Sequence, residues 1–238
     1  MSAAPAVSHE TGRMVRPPPG PSRDRARRRS VLGLGIVGAL LFVLSYAFPY
    51  WHFALYAPQY PKGLHLVIGL TGVSGDVAEI NIINHYIGMH GLDKAAEVER
   101  ALAGWGIGVA GVMVLLFLIG SGRRLNWLAA LPALALPVGF VLDSMYWLYR
   151  FGHQLDPKAP LNIPPFTPTL FGPGKVGQFR TEAIPEMGFW LALLGATVVL
   201  AAVVLRKRVC ETCPHFGTCG AVCAHGLVGA GQRLDPRP

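Results

Sequence analysis

Long runs without charge alternate with polar, glycine- and proline-rich stretches along the chain. Four of the runs are long enough to cross a bilayer, which takes about 20 apolar residues at about 1.5 Å of rise each. They cover Val31 to Tyr50, Ala101 to Gly120, Leu125 to Tyr149 and Met187 to Leu205. The first and second contain no charge, and the third contains one acid, Asp143, together with Pro132 and Pro137. The expected fold class is therefore an all-α integral membrane protein of four transmembrane helices. Two long loops, about residues 51–100 and 150–186, are expected to be structured and to lie outside.

Within the first loop, Leu64 to Leu70 and Gly72 to Ile80 combine Val, Ile and Leu with glycine punctuation, which predicts a small β-hairpin. Asp93 is placed to cap a short helix, Lys94 to Arg100, leading into the second span. The second loop carries Pro157, Pro160, Pro164, Pro165 and Pro168. Proline fixes φ and removes donors, so this loop is expected to be extended and irregular, lying over the first loop or a partner.

Composition agrees with a membrane location. Hydrophobic residues make up 52% of the 238 and charged residues only 14%, while the net charge is +8. Soluble domains carry about a quarter charged residues, so this chain lacks the charge to cover a soluble surface, and nucleic acid is excluded as the reason for the surplus. The basic residues instead read as an orientation signal. Of the 21 Lys and Arg, 14 fall in residues 1–30, in the turn at Arg123 and Arg124, and after residue 205. With four acids there, that side carries +10 and the two long loops carry −1. Both termini are thus expected in the cytoplasm. Residues 1–30 read as a disordered basic tail, followed by a retained signal anchor. Tyr46, Phe48, Tyr50 and Trp51, and likewise Tyr146, Trp147 and Tyr149, are expected at the outer interface as aromatic belts.

Inside the spans, Gly104 and Gly108 form a G-x-x-x-G pair, with Gly106 and Gly111 beside them. Small residues let helix backbones approach, so these are expected to pack within the four-helix bundle. Pro132 and Pro137 are expected to bend the third span. Asp143 is the one ionisable group within a span, either a functional acid or a hydrogen-bonded structural one near the outer interface.

Two stretches carry ligand chemistry. Asn84, His85, Tyr86, Ile87, Gly88, Met89 and His90 supply imidazole and thioether donors that suit Cu(I), with His52 and His65 as further candidates. After the last span, Cys210, Cys213, Cys219 and Cys223 lie within 14 residues, near His215 and His225. Four thiols in a reducing compartment, spaced by glycines, have the capacity for zinc or for an iron-sulfur cluster, and the spacing does not decide between them. No Walker A loop, dinucleotide fingerprint, nucleophile elbow or H-E-x-x-H occurs in the sequence, so catalysis by this chain alone is not expected.

Taken together, Gly75 to Val77, Asn84 to Met89, Tyr146 to Tyr149, Gly152 with His153, Leu155 to Pro157, and Pro165 to Pro168 resemble a family of small multi-pass membrane proteins. That family is encoded beside nitrous oxide reductase and its copper-maturation factors in certain bacteria and archaea. The resemblance covers about residues 30 to 205. It implies an accessory or maturation role for a periplasmic copper enzyme, in the cytoplasmic membrane, with copper or a partner protein handled by the outer loops. It raises His85, Met89 and, secondarily, His153 as metal or docking residues. The competing expectation is an electron-transfer subunit with an iron-sulfur cluster on the cysteine tail.

Overall fold

The computed structural model describes residues 21–119, 126–161, 163–176 and 179–211. Among the described residues the fold has five α-helices and five strands. The helices are α1 (Pro21–Ser45), α2 (Val77–Tyr86), α3 (Glu97–Ile119), α4 (Leu131–His153) and α5 (Met187–Glu211). The strands are β1 (Trp51–Ala57), β2 (Tyr60–Ile68), β3 (Val73–Gly75), β4 (Gly172–Val176) and β5 (Phe179–Pro185). Three helical stretches are long and apolar enough to cross a membrane: Glu97–Ile119, Trp127–His153 and Met187–Arg206.

The first span is shorter than expected. Its apolar helical part is Arg29–Ser45. The chain then leaves the helix, with Pro49 close behind and the Ser45 hydroxyl turned back to the Phe42 carbonyl at 2.7 Å. Tyr50 and Trp51 are therefore not an interfacial belt. They are 0% and 1% exposed, at the start of β1, whereas Tyr46 and Phe48 remain exposed.

The all-α expectation is corrected by one five-stranded antiparallel sheet in the order β3-β2-β1-β5-β4. The predicted hairpin exists as β2 against β3, with Ile68 opposite Val73 and a turn closed by Gly69 N–H donating to the Gly72 carbonyl. It ends at Gly75, because residues from Val77 onward turn into α2. The second loop, expected to be irregular, supplies β4 and β5. In β5 the buried Phe179, Thr181 and Ala183 alternate with Arg180, Glu182 and Ile184, the two-residue period of a strand with one covered face. β1 joins the two loops, pairing with β2 on one side (Phe53 opposite Leu66) and β5 on the other (Phe53 opposite Ala183).

The helices pack unequally. Buried Ala192, Ala196, Val199 and Ala202 form a stripe of small residues along α5, and α1 lies against it. A Cβ added at Gly38 would stand 2.6 Å from Val199 Cγ2 and 3.3 Å from the Gly195 carbonyl, so this crossing requires glycine. The glycines of α3 behave differently. A Cβ at Gly106, Gly108 or Gly111 would meet nothing within 4 Å among the described residues, and one at Gly104 would meet only the Tyr46 ring. The expected internal packing of that face is not seen among the described residues. Pro132 falls in the first turn of α4, where its missing N–H costs nothing, and only Pro137 sits inside the helix. The short helix expected at Lys94 to Arg100 is replaced by a 3₁₀ turn at Leu92–Lys94, a left-handed Ala96 (φ 51°), and the start of α3.

Candidate functional site

Residues of the sheet and of α3 and α4 together line a half-open cavity of about 440 Å³. Trp51, Phe53, Leu66 and Ile68 of β1 and β2 form one wall. Trp51 is fixed there by its indole N–H, which donates to the Leu170 carbonyl at 2.8 Å, and by edge contacts with Phe171 and Phe189 at 5.0 and 5.2 Å. From α3 come Glu99, Arg100, Ala103 and Gly106, and from α4 come Phe140, Asp143, Ser144 and Trp147. Met89 and Leu92, in the connection after α2, close the side near the loops.

Asp143, the acid singled out within the third apolar run, is thus a lining residue of this cavity. Asp143 is half-buried, with the Glu99 carboxylate near enough to act on it electrostatically and the Trp147 indole N–H donating toward its carboxylate. The Trp147 Nε1–H is buried, and its contact with the Asp143 carboxylate is longer or more bent than an ideal hydrogen bond. The Arg150 guanidinium lies 5.2 Å from the Trp147 ring centroid and Phe151 meets the ring edge at 5.5 Å, which hold the indole in place.

Above the cavity, the two motif-bearing loops are hydrogen-bonded to each other. Asp156 N–H donates to the Gly88 carbonyl at 2.9 Å, and Leu161 N–H to the Tyr86 carbonyl at 3.0 Å. Gly88 has φ +80°, and a Cβ there would lie 2.9 Å from both the N and O of Asp156. Gly152 is equally constrained, since a Cβ would run into the Phe166 carbonyl, whose own N–H donates to Gly152 O at 3.0 Å. The expectation that the proline-rich loop lies over the first loop is met by these bonds.

Among the metal candidates, Met89 lines the cavity, while His85 and His90 are exposed and turn to different neighbours. His85 meets Tyr86 edge-on at 6.3 Å, and His90 lies 6.1 Å from Phe151. His153 stacks on Tyr149 at 3.9 Å and its Nδ1 lies 2.9 Å from the Tyr149 carbonyl. His52 and His65 are brought together on β1 and β2, with rings parallel within 7° and His65 Nδ1 3.2 Å from His52 Nε2. One of those nitrogens carries the proton and the other accepts it. No group of three or more His, Cys, Asp or Glu placed to hold a metal occurs among the described residues. Of the tail cysteines, Cys210 falls on the last turn of α5, and Cys213, Cys219 and Cys223 lie outside the described residues, as do His215 and His225.

Sequence reasoning singled out Asp143 and Met89 without indicating that they share a cavity. It missed Glu99, Arg100, Ser144 and the wall from β1. The signal for Glu99 and Arg100 was their position one turn inside an apolar helix, where charge is costly unless it faces a polar or watery space. No protein-family model matches the chain, and a search of the curated proteins finds no match.

Proposed function

We propose that the protein is a non-enzymatic accessory factor of the cytoplasmic membrane that engages a periplasmic copper enzyme, nitrous oxide reductase by the resemblance, through its sheet-bearing end. In this reading α1 is the fourth span, carried across by its packing along α5, and both termini are cytoplasmic. The 17-residue stretch from Arg29 to Ser45 gives about 25 Å, short of a hydrocarbon core of about 30 Å by an amount that local thinning accommodates.

The observation that supports this reading is the joining of the two loops. The segments that carry the resemblance, around Tyr86 to Met89 and Leu155 to Leu161, are far apart in sequence and are hydrogen-bonded into one surface. That surface exposes His85, Tyr86, His90 and Asp156. A shared, rigid surface of mixed aromatic and polar groups suits recognition of a protein, in which a few aromatic anchors carry most of the energy. His85 and His90 are then contact residues rather than a copper cage.

A photo-crosslinking residue placed at Tyr86 in the full-length protein in its native membrane tests this. Adducts with the copper reductase are expected at Tyr86 and not at Gln59, in the turn between β1 and β2. Cells lacking the chain are expected to contain reductase with less copper and less activity. Equal adduct yields at the two positions, or unchanged copper content and activity, would overturn the proposal.

A further inference from the structure

We propose that His52 and His65 form a two-imidazole site for a divalent cation of the zinc class on the face of the sheet turned away from the cavity. The inference does not rest on the partner reading. Strand alternation places the pair: Trp51 and Phe53 of β1 and Leu66 and Ile68 of β2 line the cavity, so His52 and His65 lie on the opposite face. His52 stands opposite Val67, and His65 stands opposite Ala54. The two histidines are thus diagonal neighbours on adjacent strands, within reach of each other's rings. His65 Nδ1 lies 3.2 Å from His52 Nε2.

A second contact fixes which nitrogen of His65 is free to bind. Its other ring nitrogen, Nε2, lies 3.3 Å from the Lys62 carbonyl. A carbonyl only accepts, so Nε2 carries the proton and Nδ1 of the neutral ring is a lone pair turned toward His52. A ring N–H held by a backbone carbonyl is the arrangement that orients histidine as a metal ligand and raises its basicity. The backbone of His65 is pinned as well. Its N–H donates to Asp76 Oδ2 at 2.8 Å, and Asp76 N–H donates back to the His65 carbonyl at 2.8 Å.

Without a cation, His52 Nε2–H donates to His65 Nδ1. When a cation enters, the His52 proton moves to Nδ1 through solvent, and both facing nitrogens become ligands with no net loss of protons. A cation about 2.0–2.1 Å from each of the two nitrogens would see them about 100° apart, close to a tetrahedral angle. Imidazole donors without sulfur suit Zn²⁺ and similar divalent ions, whereas Cu(I) is selected by thiolate or thioether. Among the described residues no third His, Cys, Asp or Glu joins the pair, so water takes the remaining positions. Glu182, opposite Ala54 on β5, puts a carboxylate on the same face to offset the added charge.

The test titrates zinc into full-length protein in nanodiscs, first stripped of metal, against a chromogenic chelator. Wild type should take up one more exchangeable zinc than His52→Ala or His65→Ala. Zinc held by the tail cysteines is common to all and cancels in the difference. Each single variant should bind at this site at least about tenfold more weakly, because it loses the chelate. The double variant should be little worse than either single one, the coupling expected of two ligands on one ion. Val67→Ala, which trims the same face of β2 and keeps both donors, should bind as wild type does and guards against a folding defect. Equal zinc uptake by wild type and the histidine variants, losses that simply add in the double variant, or the same loss in Val67→Ala would each overturn the proposal. Crosslinking at Tyr86 is unaffected by any of these outcomes.

Discussion

Replacing Gly88 with alanine should open the joint between the two loops without unfolding the protein. The residue sits at φ +80°, where a Cβ costs about 1–2 kcal/mol. That Cβ would also stand 2.9 Å from the backbone N and O of Asp156 and 3.0 Å from Ala159 Cβ, which are closer than real Cβ contacts. Backbone atoms cannot swing aside as a side chain can, so the Asp156 segment must move. Its movement forfeits the 2.9 Å bond from Asp156 N–H to Gly88 O, worth about 0.5–1.5 kcal/mol. The combined cost is about 2–3 kcal/mol, which corresponds to about a 30- to 150-fold loss of amide protection at the joint. Hydrogen exchange followed by mass spectrometry on the full-length protein in detergent should show this in peptides covering 155–161. Peptides from α3 and α5 should exchange as before, because Gly88 touches neither of the two apolar core clusters. Gly72→Ala is the control, since its added Cβ would meet nothing within 4 Å. Unchanged exchange at 155–161 in Gly88→Ala would refute the reasoning, because the loops would then not be held by this contact.

Gly38→Leu should destabilise the protein by about 1–3 kcal/mol in denaturant titration in micelles, by forcing α1 off Val199 and Gly195, whereas Gly108→Leu should be neutral. Equal loss from both would mean that the α3 face packs on something. A membrane-impermeant thiol reagent added to intact cells should label none of the four cysteines, and labelling of the tail would invert the proposed orientation. Anaerobically purified protein should carry zinc or iron through its tail, lost when Cys213 and Cys219 become serine. Protein free of both metals would remove the tail from any ligand role.

The spans were legible wherever an uncharged run is flanked by charge or by a break. That holds for α3, α4 and α5, whose limits differ from expectation by a few residues. It failed for Tyr50 and Trp51. Aromatic residues at the end of an apolar run read the same whether they anchor at an interface or begin a buried strand, and only the pairing of Trp51 with Ile68 and Pro185 distinguishes the two. The pairing with Pro185 joins residues more than 100 positions apart and leaves no local trace. β5 did leave one, in the alternation from Phe179 to Ile184, but the prolines upstream drew the whole loop into one irregular reading. The joint at Gly88 was half legible. A glycine within a His- and Met-bearing stretch suggested chemistry, while its left-handed φ and its contact with Asp156 are tertiary facts.

The position of the cavity follows from where the small residues fall. On α5 they recur at Ala192, Ala196, Val199 and Ala202, at steps of four and three that keep one helix face shallow, and α1 settles into it through Gly38. On α3, Gly104, Gly108 and Gly111 also recur at steps of four and three on one face, but added Cβ atoms at Gly108 and Gly111 would meet nothing within 4 Å among the described residues, so no comparable seam forms there. The two helices stay apart near the sheet, and the gap would fill with lipid if β1 and β2 did not cover it. Lined by Trp51 and Phe53, it becomes a half-open chamber with an acid and an indole donor on its α4 wall. Asp143 is tolerated in an apolar helix for the same reason. It faces that chamber, where water can solvate it, and not the acyl chains.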